Sequence, residues 1–198
     1  MARPREFDPD RVLERATQVF WARGFEHTSL DELCEATGLG RSSLYAAFGD
    51  KRALYLRALE RYEEASAARI AAAFDGRPVR KALARFLDGM VDEIVAGPGR
   101  RGCFIGNCAA EMARLDRGAA ARVRASLARI EAAFREGLDK ARARGELAAR
   151  ADTTALARFL TAGVQGLRLV GKANPDREAL GDVAATMLRC FDSRGEKQ

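Results

Sequence analysis

Apolar residues recur along this chain at three- and four-residue intervals, in runs opened by capping residues and closed by glycine or proline. Asp8-Pro9-Asp10 opens the first run with a cap, a proline at the first helical position and an acid. Val12, Leu13, Ala16, Val19 and Phe20 form its buried stripe, Gly24 ends it, and Phe25 is expected to pack back. Ser29 with Glu32 three residues on is a capping box for a short second helix carrying Leu30, Leu33 and Cys34 on one face. Gly38 supplies the left-handed residue that stops it, and Leu39 plugs the turn. A third helix runs from about Gly40 to Phe48, with Leu44 and Phe48 inward and Arg41, Ser42, Ser43 and Tyr45 outward. Asp50 caps a longer helix that starts at Lys51, carries Leu54, Ala58 and Tyr62 on one face, and extends to about Phe74.

Gly76 and Pro78 mark the next junction. Val79, Leu83, Phe86, Leu87, Met90 and Ile94 then give another helical stripe. The loop Gly97-Pro98-Gly99-Arg100-Arg101-Gly102 has the G-x-G-x-x-G spacing of a dinucleotide site. It follows a helix rather than a strand, so it is read as a flexible turn. Further helices are predicted over about Cys103–Leu115 and Gly118–Arg144, the latter with Val123, Leu127, Ile130, Phe134 and Leu138 inward and many arginines outward. Asp152 and Asn174-Pro175-Asp176 open the last two helices. No stretch alternates as a strand does. The chain is therefore expected to be all-α, with a three-helix unit over residues 1–50 and a larger helical unit over 51–198.

The +6 charge suits a polyanionic partner, but ten basic and ten acidic residues balance through Tyr62, so the excess lies beyond it. Clustering matters more than the total: Arg41, Lys51 and Arg52 surround the short helices, and Arg3 and Arg5 precede the first. No long apolar run suggests a signal peptide or membrane span. Cys34, Cys103, Cys108 and Cys190 lack zinc-site spacing and His27 is the single histidine, so no metal and no cofactor is expected. A cytoplasmic protein with reduced thiols is the expectation. An enzyme would need a cofactor loop, ligand set or acid/base constellation, and none is legible.

Residues 28–54 form a helix, a glycine-centred turn and a second helix followed at once by a capped third. A helix-turn-helix lays its second helix in the major groove by this arrangement. Arg41 lies where base-reading side chains project, and a guanidinium can bond both major-groove acceptors of guanine. Ser42 can touch a base edge, Ser43 and Tyr45 can reach phosphates, and Lys51 adds charge at a helix N-terminus. The alternative is a plain helical hairpin with a solvated face. Thr28-Ser29-Leu30, Gly38-Leu39-Gly40-Arg41, Ser43-Leu44-Tyr45, Phe48 and Lys51 resemble the N-terminal signature of the TetR/AcrR family of bacterial transcriptional regulators, over about residues 8–60. The resemblance implies base contacts from Arg41 and Ser42 and phosphate contacts from Ser29, Ser43, Tyr45 and Lys51. It also implies a homodimeric repressor of double-stranded operator DNA, with a small-molecule effector site in the larger domain. Leu30 and Ala46 depart from polar or aromatic contacts of some members, which leaves Arg41 as the main reader. A helical protein-interaction module without DNA binding is the rival reading, and repression released by thiol modification is another.

Four further candidates follow. Arg3 and Arg5 form either an arm for the minor groove or a solvated tail. Phe86, Met90, Phe104, Met112 and Phe134, with Asn107, Glu111 and Gln165 as polar groups, line a ligand pocket or are ordinary core. Leu156, Leu160, Gly163, Leu167, Val183, Met187 and Phe191 form a two-fold interface or pack within one chain. Cys103 after Arg100-Arg101-Gly102 at a helix start is either a thiol sensor or a small buried hydrophobe.

Overall fold

Helix boundaries fall where the caps put them. The computed structural model describes residues 7–191. Its helices are α1 (Pro9–Arg23), α2 (Leu30–Thr37), α3 (Arg41–Phe48), α4 (Lys51–Phe74), α5 (Val79–Val95), α6 (Phe104–Met112), α7 (Arg117–Ala143), α8 (Thr153–Ala173) and α9 (Arg177–Arg189). The Asp8 carboxylate accepts from the N–H groups of Asp10 and Arg11, and Asp50 from Ala53 at 2.7 Å. Asp152 and Asp176 cap α8 and α9 in the same way. Both bonds of the Ser29–Glu32 capping box form. Gly40 is the cap of α3 rather than its first residue, and α6 is shorter than the pattern suggested. Arg3 and Arg5 lie outside the described residues. No described helix is long and apolar enough to cross a membrane.

The glycine-rich loop is a turn, as expected, and its backbone is close-packed. Pro98–Arg101 form a 3₁₀ turn, and a Cβ on buried Gly99 would stand 2.7 Å from the Ile94 backbone nitrogen. Only glycine lets this turn lie against α5.

The core is continuous across residue 50, because α4 packs against α1 at one end and α7 along its length. Edge-to-face rings mark its path. Phe20 of α1 meets Tyr55 of α4 at 5.0 Å, Tyr55 meets Phe104 of α6 at 5.2 Å, and Tyr62 touches both Phe104 and Trp21. Such pairs each add about 0.5–1.5 kcal/mol beyond their buried area. Phe104 and Phe20 are fully buried.

One buried charge cluster ties α4 to α7. The Glu63 carboxylate accepts from Ser126 at 2.6 Å and pairs with Arg122 at 3.0 Å and Arg129 at 2.9 Å. The arginines of α7 are therefore not uniformly outward. Removing one partner of such a group leaves an uncompensated charge, which costs more than the intact pair gains.

Most residues expected at a two-fold interface are core of this chain instead. Leu160, Leu167, Met187 and Phe191 are buried, and Leu156 is half-buried. Gly163 faces the Met187 side chain, whose Cε would stand 2.4 Å from an added Cβ. The cause is that α8 and α9 pack on α5 and on each other, which uses their inner stripes. Of the named set Val183 is exposed, and it joins Phe159 and Val170 on the outer faces.

Gly137 of α7 has the same logic as Gly163. An added Cβ would stand 2.5–2.7 Å from the Phe74 ring at the end of α4. Gly137→Ala is expected to destabilise the fold by about 1–3 kcal/mol through overpacking. Chemical denaturation of both proteins checks this, and equal midpoints would show that Phe74 moves aside freely.

Candidate nucleic-acid interface

Four buried side chains fix the orientation of α3. Leu33 and Thr37 of α2 and Leu44 and Phe48 of α3 face the interior. The turn between the helices is closed by Gly38, whose φ of +74° is the left-handed region and whose N–H donates to the Cys34 carbonyl at 2.8 Å. Thr37 turns its hydroxyl back to the Leu33 carbonyl at 2.6 Å, so its buried oxygen is satisfied. With Leu44 and Phe48 inward, Arg41, Ser42, Ser43 and Tyr45 are left exposed on one short helix.

Each predicted contact residue has a defined setting. The Arg41 guanidinium bonds Asp31 of α2, with Nε donating to Oδ1 at 3.1 Å. Both groups are exposed, and such pairs contribute about 0–1 kcal/mol, so a guanine or phosphate can displace the carboxylate. The Ser29 hydroxyl accepts from the Glu32 N–H at 3.2 Å, which leaves its own proton for an outside acceptor. Ser29 also donates its backbone N–H to Glu32 at 2.8 Å, and this bond holds the Glu32 carboxyl below its ordinary range. Lys51 opens α4 with its Nζ 4.4 Å from the centre of the Phe25 ring. A cation over an aromatic face is weakly attracted there and stays near the start of α3 and α4.

Several polar contacts hold this head and the start of α4 on the larger domain, among them Gln18 of α1 with Arg101 at 2.7 Å and Glu14 with Arg61 at 2.7 Å. Glu111 of α6 accepts the N–H of Phe25 at 3.0 Å and of Glu26 at 2.8 Å. Gly24 makes room for it, since a Cβ there would stand 2.8 Å from the Glu111 carboxylate. Arg52 of α4 forks onto Asp116 at the start of α7, with Nε and a terminal nitrogen at 2.5 and 2.7 Å. Asp116 also accepts from the Ala119 N–H. Trp21 donates to the Gly102 carbonyl at 3.1 Å, and the Arg101 guanidinium lies 4.3 Å from its ring centre. The Arg52 bonds hold the Asp116 carboxyl well below the usual carboxylate range. A depressed carboxyl contributes its stability above its unfolded pKa of about 3.9 and loses it as pH falls through the folded value. This link is accordingly at full strength at neutral pH.

The residues read as one pocket divide into separate places. Phe86 and Gln165 do line a small internal cavity of about 30 Å³, together with Tyr62, Cys103, Ile130 and Arg168. Phe86 and Met90 also border an open cleft of about 320 Å³ beside it. Phe104 belongs to the aromatic core, Met112 is buried, and Phe134 stands edge-on to Phe74 and Phe86. Asn107 donates to the Arg101 carbonyl at 2.9 Å and accepts from Lys172, and Glu111 holds the 25–26 loop. These five are corrections: helix spacing placed Asn107 and Glu111 together, but their partners lie on other segments. Cys103 caps α6 and is buried, without a side-chain cap bond. The sequence places Tyr62 and Ile130 on helix faces but does not mark them, or Arg168, as cavity residues, since nothing in the local pattern separates them from core or surface positions.

Comparison with known proteins agrees with this geometry. Residues 12–58 match the family described as "Bacterial regulatory proteins, tetR family", and residues 77–187 match "Tetracyclin repressor-like, C-terminal domain". The HTH-type transcriptional repressor ComR of Escherichia coli K12 is 32% identical over 191 residues, covering 96% of this chain and 91% of the relative. The HTH-type regulator YezE of Bacillus subtilis 168 is 32% identical over 194 residues, covering 97% and 100%. A solved structure of the TetR-family regulator CifR, a cysteine variant complexed with 26-base-pair operator DNA, superposes with a TM-score of 0.80. It is 34% identical and the match covers 94% of this chain and 98% of that one. Helix-turn-helix head and helical body together define a DNA-binding transcription regulator. The chain belongs to the TetR family.

The Glu111 contact yields a direct test of how the head is held. Glu111→Ala leaves the Phe25 and Glu26 N–H groups without their carboxylate acceptor, and bonds to charged groups contribute about 1.5–3 kcal/mol. Amide hydrogen exchange at Phe25 and Glu26 is expected to quicken at least about tenfold, with α8 and α9 unaffected. Unchanged exchange at these two amides would show that the loop holds itself.

Proposed function

We propose that the protein is a homodimeric repressor that reads a near-palindromic operator with α3 and releases it when a small molecule occupies the larger domain. The observation that carries the reading is the exposed row Arg41, Ser42, Ser43 and Tyr45 on a helix whose opposite face is locked into the core. Arg41 reads a base from the first turn of α3, with Ser42 beside it. Ser29, Ser43, Tyr45 and Lys51 hold phosphates and set the register of the helix on the duplex. Arg3 and Arg5 reach the adjacent minor groove. The complex of CifR with operator DNA supports the DNA partner, and the repressor named ComR supports the direction of regulation.

Two copies pair through the outer faces of α8 and α9. Phe159, Val170 and Val183 are large apolar residues left exposed there, and Gly166 between the first two leaves room for close approach. An isologous pair on a two-fold axis presents two α3 helices about 34 Å apart, one turn of DNA. The protein acts in the cytoplasm, where its operator is. Effector binding favours a conformation in which α6 has moved. Because Glu111 and the following Asp116 hold the head, a shift of α6 alters the spacing of the two reading helices.

Arg41→Ala is expected to cost about 1–3 kcal/mol at the cognate site and to relax preference at one base pair per half-site. Lys51→Ala should weaken all sequences alike and reduce the salt slope by about 1 per protomer. Competition binding on a selected site and its single-base variants separates the two. Unaltered base preference in Arg41→Ala would overturn the assignment of α3 as the reader.

A further inference from the structure

Arg168 of α8 is 7% exposed, and its guanidinium, which keeps access to a cavity, has no hydrogen bond or ion pair among the described residues. Buried arginines are ordinarily paired, because an uncompensated charge away from water is costly. Arg122 of α7, a quarter exposed, is by contrast paired through a terminal nitrogen with Glu60 and Glu63, although its Nε has no partner. Arg168 instead borders the internal cavity between α4, α5, α7 and α8. The groups around it do not neutralise it. Arg69 is a second cation on the same wall, and the nearby carboxylate of Glu93 is already directed to Arg69 at 3.7 Å. Burial pushes the Tyr62 hydroxyl up to about 12, so it is a neutral donor at pH 7 and not a counter-ion. Gln165 adds an amide.

We propose, on the reading that the larger domain holds an effector site, that this cavity takes the carboxylate of a small organic acid on Arg168. The cavity volume of about 30 Å³ admits roughly two or three heavy atoms, the size of a carboxylate head. Arg168, Arg69 and Phe86 also border the neighbouring cleft of about 320 Å³, so a tail continues outward there along Phe86 and Met90. A planar guanidinium matches the two oxygens of a carboxylate, and Tyr62 and Gln165 supply further donors. Ala72, Phe86 and Met90 give the cleft an apolar strip for a short hydrocarbon tail, and the arginines around it exclude amines. Cys103, the cap of α6, lies on the same cavity wall, so the head group sits at the end of the helix that carries Glu111.

The test uses the full-length protein with hexanoate and benzoate as probes, and hexanamide and benzamide as uncharged matches. Binding is read by calorimetry and thermal shift without DNA. At least one acid is expected to bind and raise the melting temperature, while its amide does not. Arg168→Gln should weaken that acid by about 30-fold or more, as loss of one partner from a buried charge pair does. Arg168→Met should abolish the response to acid while leaving the protein folded. Circular dichroism confirms that both variants are folded. Amides that bind as well as acids, acids that bind Arg168→Met undiminished, or no binding by either acid would overturn the proposal. Release of a selected operator is then measured separately. An acid that binds through Arg168 but leaves DNA bound would uphold the anion site and contradict effector-released repression.

Discussion

One carboxylate sets the loop that leads into the reading head. Glu111 of α6 accepts the two N–H groups that follow Gly24, at the point where α1 gives way to the loop before the helix-turn-helix. Without a side chain at Gly24 the carboxylate reaches the backbone, and with one it could not. The α1–α2 loop therefore takes its position from a helix of the other domain. The Trp21–Gly102, Gln18–Arg101 and Glu14–Arg61 bonds act in parallel from α1, while the Arg52–Asp116 fork fixes the start of α4 against α7. Head and body are thus coupled through directional polar bonds at their surface as well as through the shared aromatic core. Directional bonds have discrete made and broken states, which is what a two-position switch requires.

The chain uses its charges in two ways. Glu63 sits inside a cage of Arg122, Arg129 and Ser126, and its role is to fix the register of α7 on α4. Arg168 sits at comparable burial with no such cage. The first is a completed network that favours one packing. The second is half of one, and it lies at the only described boundary shared by the internal cavity and the basic cleft, with Arg69 and Phe86. The cavity adjoins Cys103 at the start of α6, and Glu111 lies near the end of that helix. The route from cavity to reading head is two turns of helix.

Local chemistry explains what was legible in the sequence. Asp8, Ser29, Gly38, Asp50, Asp152 and Asp176 set helix ends through bonds to residues two to four positions away, so their effect is visible in the string itself. The outward row of α3 follows from Leu44 and Phe48 in the same way. Contacts across the chain were not legible. Glu111 lies 85 residues from Glu26, and Arg52 lies 64 from Asp116. Spacing on its own helix placed Glu111 beside Asn107, and nothing local told that its acceptor atoms were committed elsewhere. The α8–α9 stripe was read correctly as apolar, but a stripe does not say whether its partner is in the same chain. Leu160, Leu167 and Met187 turn inward, and Phe159, Val170 and Val183 turn outward.

The central claim is that α6 sets the position of the reading helices in a two-fold pair. The distance between protomers tests it most directly, read by double electron–electron resonance from spin labels at exposed Glu35 of α2, in a background lacking the accessible Cys34 and Cys190 thiols. On a selected operator one narrow distance is predicted, fixed by α3 helices one DNA turn, about 34 Å, apart. In Glu111→Ala without DNA the distribution is predicted to broaden relative to the parent protein. A monomer, or an identical narrow distribution in both proteins, would contradict the account.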